Sequence, residues 1–405
     1  MHFLSWIKNR RILLLSNLFN MKKKVTKSIF PVLFGFFVMG FCDIVGISSD
    51  YVQRSLHWSP IMTGFVPSTV FVWFLFLGIP IGNKMNQWGR KNTVLISMTI
   101  TMVGMILPLI TYGNITCIIT YALLGIGNAI LQVSLNPLLN NVIADKAYLT
   151  SSLTAGQVIK AISSLLGPEI VLLVVNLFGI DKWYYCFPIL GFITMLSAMW
   201  LVATPIEQEQ NIDTEKEVSA TLSLLKDRII LLLFLGIFFI VGVDVATNYI
   251  SSKLMTIRFG WSNEQVKFAP QVYFLCRTIG TLLGTFLLIH ISEMKYFKIN
   301  ILACILSFLV LIFVKNDTVN IMCIGSIGFF VSSVFPIIYS MALQVKPDKA
   351  NEISGLMITA VAGGGVVTPA IGFAIGTIGI ICGVMVILSC VLYLAYCAFG
   401  IKINI

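Results

Sequence analysis

Residues 61–112 read IMTGFVPSTVFVWFLFLGIPIGNKMNQWGRKNTVLISMTITMVGMILPLITY: two apolar runs, 61–83 and 92–112, joined by a short basic stretch, Gly82–Lys91. A helix needs about 20 predominantly apolar residues to cross the hydrocarbon core of a bilayer. Each run has that length, so the segment predicts a helical hairpin that crosses the membrane and returns. Working outward, the same unit recurs. Further apolar runs lie near 29–49, 115–140, 150–178, 183–203, 229–252, 267–290, 297–314, 318–344, 353–377 and 379–400, making twelve. Composition agrees, with 58% hydrophobic and only 11% charged residues and a mean hydropathy of +0.94. A water-soluble globule of this composition would expose far too much apolar surface.

The loops between the runs set the orientation. With the amino terminus inside, 19 of the 27 basic residues fall in inside segments and six, among them Arg54, Lys182 and Lys315, fall outside. Basic residues concentrate in cytoplasmic loops, which places both termini in the cytoplasm. The net charge of +10 therefore reads as membrane topology, and a nucleic-acid surface, which needs one concentrated basic patch, is not expected. The nine cysteines sit mostly within apolar runs, without CxxC pairs or His/Cys clusters at metal spacing. Neither disulfides nor a metal site are predicted, and no cofactor. No Walker loop or nucleophile constellation is present, so the chain reads as neither an ATP-driven pump nor an enzyme.

Organisation follows from the most polar interior stretch, Thr204 to Arg228. It divides the chain into a tail (1–28), six spans (29–203), a cytoplasmic linker (204–228), six more spans (229–400) and a short tail (401–405). Two six-span halves around a charged linker is the plan of a transporter built from related repeats. Met21 opens MKKKVTKS and is a second natural start; residues 1–20 otherwise read as an amphipathic tail on the inner surface. The stretch Ile289–Lys298, at the place in the second half that Gly82–Lys91 holds in the first, keeps only Lys295 and Lys298 of its basic pattern.

Charged groups at bilayer depth are costly and face a cavity or a partner. The candidates are Asp43, Lys160, Glu169, Asp244 and Arg277. Asp43 has no base within reach along its own helix, and a bilayer disfavours its ionised form, as a proton-carrying carboxyl requires; a salt bridge to another helix is the alternative. Asp244 and Arg277 read either as a pair across neighbouring helices or as substrate ligands. Glu169, after Gly167-Pro168, reads as gating or structural. Span four carries Asn128, Gln132 and Asn136 at four-residue intervals, and span five carries Thr154, Gln157, Lys160 and Ser164. Span seven carries Asp244, Thr247, Asn248 and Ser251, so each span presents one polar stripe. Such stripes serve a ligand or hold helices together. Gly363, Gly364, Gly365 and Pro369 in span eleven read as a hinge or as a packing seam.

The stretch Gly82-Asn83-Lys84-Met85-Asn86-Gln87-Trp88-Gly89-Arg90-Lys91 resembles the loop signature of the major facilitator superfamily, with Asn86 and Gln87 where an Asp-Arg pair usually stands. In it Gly82 and Gly89 permit a tight turn, and Arg90 and Lys91 face a helix end or an acid across the interface. Four further segments resemble the fucose–proton symporter family. They are Gly125-Ile126-Gly127 leading to Gln132-Val133-Ser134-Leu135-Asn136-Pro137; Leu153 to Lys160 with Gly167-Pro168; Cys276-Arg277-Thr278-Ile279-Gly280; and Gly363-Gly364-Gly365 through Pro369.

That resemblance implies twelve transmembrane helices in two six-helix bundles, an all-α polytopic fold in the inner membrane for which a monomer suffices. It implies that Asp43 matches a proton-translocating aspartate, that Gln132 stands where a second carboxyl is usual, and that Lys160 replaces a sugar-binding asparagine. Coupling would then rest on Asp43 with Asp244, or use sodium. Expected substrate ligands are Gln132, Asn136, Gln157, Lys160, Asn248 and Arg277. The expected function is proton-coupled import of a monosaccharide. The extra positive charge of Lys160 and Arg277 suits an acidic sugar such as a sialic acid or hexuronate. The alternatives are a neutral hexose or fucose with Lys160 in a structural ion pair, or efflux of a small metabolite or drug.

Overall fold

A computed structural model describes residues 28–58, 66–143, 148–207, 218–262, 265 and 268–400. Residues 1–27, including the alternative start at Met21, and 401–405 lie outside the described residues, as does the middle of the linker. Among the described residues every element is helical. The first expected span is α1 (Ser28–Ile44), whose last turn is a 3₁₀ helix over Phe41–Ile44, continued by α2 (Val45–Ser55). Then come α3 (Val66–Trp88), α4 (Arg90–Ile110), α5 (Asn114–Val142), α6 (Leu149–Phe178) and α7 (Cys186–Ala203). A short linker helix, α8 (Val218–Leu222), precedes the second half.

The second half holds α9 (Arg228–Phe259), α10 (Phe268–His290), α11 (Glu293–Phe313), α12 (Asp317–Val331) and α13 (Val334–Val345), then α14 (Ala350–Thr359), α15 (Gly363–Thr377) and α16 (Ile380–Gly400). Among the described residues ten helical stretches, counting α12–α13 and α14–α15 each as one, are long and apolar enough to cross a membrane. Outward-facing apolar side chains such as Leu165, Phe192, Leu306 and Phe373 are exposed on the protein, as a bilayer allows and water does not.

Three expected spans are interrupted, and each break has a local cause. The first carries the 3₁₀ turn that holds Asp43. The tenth is broken at Ser332 and Ser333 between α12 and α13. The eleventh turns through a 3₁₀ segment, Ala360–Ala362, just ahead of the glycine triplet. Tighter 3₁₀ turns within helices frequently mark hinges.

The stretch Gly82–Lys91 is mostly helix and not a loop. α3 continues to Trp88 and the chain reverses at Gly89 alone, whose φ of 76° is a backbone region that L side chains enter only with strain. Gly82 lies inside α3, where it lets two helices touch. A Cβ there would stand 2.7 Å from the Asn351 carbonyl oxygen and 3.0 Å from the Gly355 Cα. The two sequence halves meet mainly through α3 and α5 against α14, and α6 against α10 and α13.

Candidate functional site

The 3₁₀ turn at the end of α1 presents Asp43 as an exposed side chain. Ser164 of α6 donates to Asp43 Oδ2 at 2.5 Å; no cation pairs with this carboxylate among the described residues. Lys160 stands one turn before Ser164 on the same helix, half-buried, and its ammonium forms no ion pair among the described residues. α1 packs closely on α6 beside these groups, where a Cβ on Gly40 would stand 2.5 Å from the Lys160 carbonyl oxygen.

Across the seam, α9 and α10 bring together a second charged group. Arg277 Nη2 lies 2.9 Å from Asp244 Oδ2, with side-chain exposures of 35% and 24% respectively, so water reaches both partners. The other carboxylate oxygen accepts a 2.6 Å hydrogen bond from the Tyr273 hydroxyl. Tyr273 is fully buried and sits four residues before Arg277, on the same face of α10. Arg277 Nε is buried and has no hydrogen-bond partner among the described residues. The four charges of Asp43, Lys160, Asp244 and Arg277 sum to zero, and the Asp244 carboxylate offsets the positive charge expected from Arg277.

The amide stripes divide. Asn128, Gln132 and Asn136 are buried in α5, and Asn136 Nδ2 donates at 2.9 Å to the Gln132 carbonyl oxygen one turn back. That donor is committed to its own helix. Gln157 of α6 and Asn248 of α9 are half-buried, with no side-chain hydrogen bond among the described residues. Thr247 is buried with its hydroxyl unpartnered. Glu169 is exposed near the far end of α6, away from these groups.

The residues expected to act in gating lie mostly elsewhere. Arg90 is buried and crosses the seam: Nε donates to Asn351 Oδ1 at 2.7 Å, and Nη1 donates to the Pro137 carbonyl oxygen at 3.2 Å and to Asn141 Oδ1. Asn351 in turn donates to Asn86 Oδ1 at 2.8 Å, and Asn86 to Glu352 Oε1 at 3.2 Å. Lys91 turns away from the seam. Its ammonium donates to the Val202 and Thr204 carbonyl oxygens at 3.1 and 2.8 Å, closing the end of α7 where the helix dipole is negative. Gly363 and Gly364 pack against Phe238 and the Val241 and Val245 side chains of α9, whereas Gly365 faces open space and Pro369 is exposed. The triplet is thus a packing seam over its first two glycines, next to the 3₁₀ break.

Hydrogen bonds between the halves among the described residues cluster in the parts of the helices nearest the linker. Besides the Arg90 group, Ser151 donates to the Thr285 carbonyl oxygen at 2.6 Å and Ser354 to that of Val133 at 2.5 Å. The linker helix joins them, with Thr221 donating to Asn83 Oδ1 at 2.6 Å. Sequence reading missed Tyr273, which looks like any core aromatic, though its i−4 spacing from Arg277 was visible. It missed Asn351 and Glu352 because they sit in a short polar loop by sequence.

An all-helical chain with charged and amide side chains gathered at mid-helix between two halves is a multi-pass membrane protein of the transporter class. Residues 29–369 match the Major Facilitator Superfamily, and the chain belongs to that family. It is 22% identical over 387 residues to a glucose/galactose transporter of Brucella abortus biovar 1 (strain 9-941), covering 89% of this chain and 90% of that protein. It is 23% identical over 327 residues to the glucose/mannose transporter GlcP of Bacillus subtilis (strain 168), covering 76% and 78%. Its fold is similar to the crystal structure of a Major Facilitator Superfamily transporter, FucP, in the outward conformation, with a TM-score of 0.80 at 17% identity over 93% of this chain and 100% of that one.

Proposed function

We propose that this chain is a proton-coupled importer of a neutral monosaccharide in the inner membrane. It works by alternating access between a first six-helix bundle (29–203) and a second (229–400), with both termini in the cytoplasm. The observation that carries the reading is the contrast between two carboxylates. Asp43 has a hydroxyl donor and no cation among the described residues, so it can take up and release a proton without breaking an ion pair. Asp244 is held by Arg277 and Tyr273 and serves to fix the arginine for a sugar hydroxyl. Gln157, Asn248 and Gln132 supply amide groups of the kind that bind polyols, and Lys160 adds a donor beside Asp43.

The sealed linker side and the exposure of Asp43 support an outward-facing state in which sugar and proton enter first. The Asp244 carboxylate, which cancels the charge of Arg277, and the sugar-transporting relatives support a neutral hexose. One observation favours a second reading, an acidic sugar: Lys160 has no carboxylate partner among the described residues, and its ammonium would pair with a substrate carboxylate. Uptake of glucose, galactose and N-acetylneuraminate into proteoliposomes separates them. The proposal expects hexose uptake that survives Lys160→Asn with weakened affinity. Uptake confined to N-acetylneuraminate and abolished by Lys160→Asn would overturn the neutral-sugar reading in favour of the second.

A further inference from the structure

Arg90 and Glu293 occupy matching places in the two halves. Arg90 is the first residue of α4, the third span of its half, and Glu293 is the first residue of α11, the third span of the other. Arg90 donates to Asn141, the penultimate residue of α5 in its own half. Glu293 accepts from Gln344 Nε2 at 3.4 Å, and Gln344 is the penultimate residue of α13 in its own half. Arg90 then crosses the seam to Asn351, the second residue of α14. Glu293 crosses it the other way, accepting from Thr150, the second residue of α6. The positions correspond one by one, while donor and acceptor are exchanged.

We propose that Glu293 is the second latch of the linker-side seam, counterpart to Arg90, and that the two latches hold the halves together in parallel. The local chemistry suits this. A carboxylate in the first turn of α11 complements the helix dipole. It makes no ion pair among the described residues, so its charge is available to strengthen the bonds from Thr150 and Gln344. Ser340 extends the group, with its Oγ 2.7 Å from Thr150 Oγ1 and accepting from Gln344 Nε2 at 2.9 Å. Removing Glu293 takes the charged acceptor from Thr150 and Gln344 and leaves only the neutral Ser340 hydroxyl to both, at the point where the halves meet. The inference does not depend on the identity of the sugar or the coupling ion.

Hydrogen exchange of the full chain in nanodiscs, read by mass spectrometry, tests it on amides 153–157 and 354–358, the first hydrogen-bonded turns of α6 and α14. Glu293→Ala and Thr150→Val are each expected to raise exchange there by about tenfold, the equivalent of one charge-assisted hydrogen bond, with exchange in residues 114–120 at the opposite ends unchanged. The pair of substitutions together should do no more than either alone, because they break one latch. Arg90→Ala with Glu293→Ala should multiply the two single effects. Unchanged exchange in both Glu293→Ala and Thr150→Val, or full additivity between them, would overturn the proposal. Should Glu293→Ala fail to fold, Thr150→Val and the near-isosteric Glu293→Gln carry the same test, with Glu293→Gln expected to show a smaller rise because it keeps an acceptor for Thr150.

Discussion

Arg277 holds Asp244 and, in the function proposed above, would turn its remaining donors to the sugar. A partly exposed ion pair contributes modestly to stability, but stripping one member leaves the other desolvated without a partner. Arg277→Ala should therefore lower thermal stability in detergent more than Arg277→Gln combined with Asp244→Asn, which melting curves will show. Tyr273→Phe removes one charge-assisted hydrogen bond from Asp244, worth about 1.5–3 kcal/mol. Part of that loss is expected to appear as an increase of about threefold or more in the sugar concentration giving half-maximal uptake, with little change in maximal rate. At this scale the chain was half legible. Charges at bilayer depth announced Asp43, Lys160, Asp244 and Arg277, because nothing but function or pairing justifies their cost. Tyr273 gave no such signal, since a tyrosine is at home in any apolar core. Glu293 was hidden because an acid beside a loop is ordinarily solvated, and only the fold brings Thr150 to it.

Helices meet here through small residues and end through caps, and both features are testable. A Cβ on Gly355 would overlap the Gly78 carbonyl and crowd Gly82, so Gly355→Val should push α3 from α14 and raise amide exchange on the linker side. Gly89→Ala places a side chain at positive φ and should cost about 1–2 kcal/mol, read as a lower melting temperature with the fold retained. Asp227 caps α9 by accepting from the Ile229 N–H at 3.0 Å and pairs with Lys346 at 2.8 Å, and the lysine holds its carboxyl below the usual range. A depressed carboxylate stabilises the fold above its unfolded pKa of about 4 and loses that contribution as pH falls through its folded value. Lys346→Met should flatten this small acid dependence of the melting temperature. Apolar run length located the helices to within a few residues, but Gly82–Lys91 misled. Its glycines and polar residues suggest a loop, whereas packing against Gly355 and Asn351 keeps α3 helical to Trp88.

On the scale of the whole molecule, two halves are tied together at one side by Arg90, the Gly82–Gly355 contact and the linker helix. The central polar linker suggested two halves, while the seam itself was not legible, because it joins residues some 130 to 270 positions apart, such as Ser151 with Thr285 and Asn86 with Glu352. The account's central claim is that Asp43 couples sugar movement to a proton while the rest of the site binds the sugar. Purified protein in liposomes with an alkaline interior tests it most directly, by following labelled galactose with and without a protonophore. Proton coupling through Asp43 requires accumulation above the external concentration that collapses with the protonophore, and for Asp43→Asn equilibrating exchange without accumulation. Accumulation that ignores the protonophore, or that Asp43→Asn leaves intact, would contradict it.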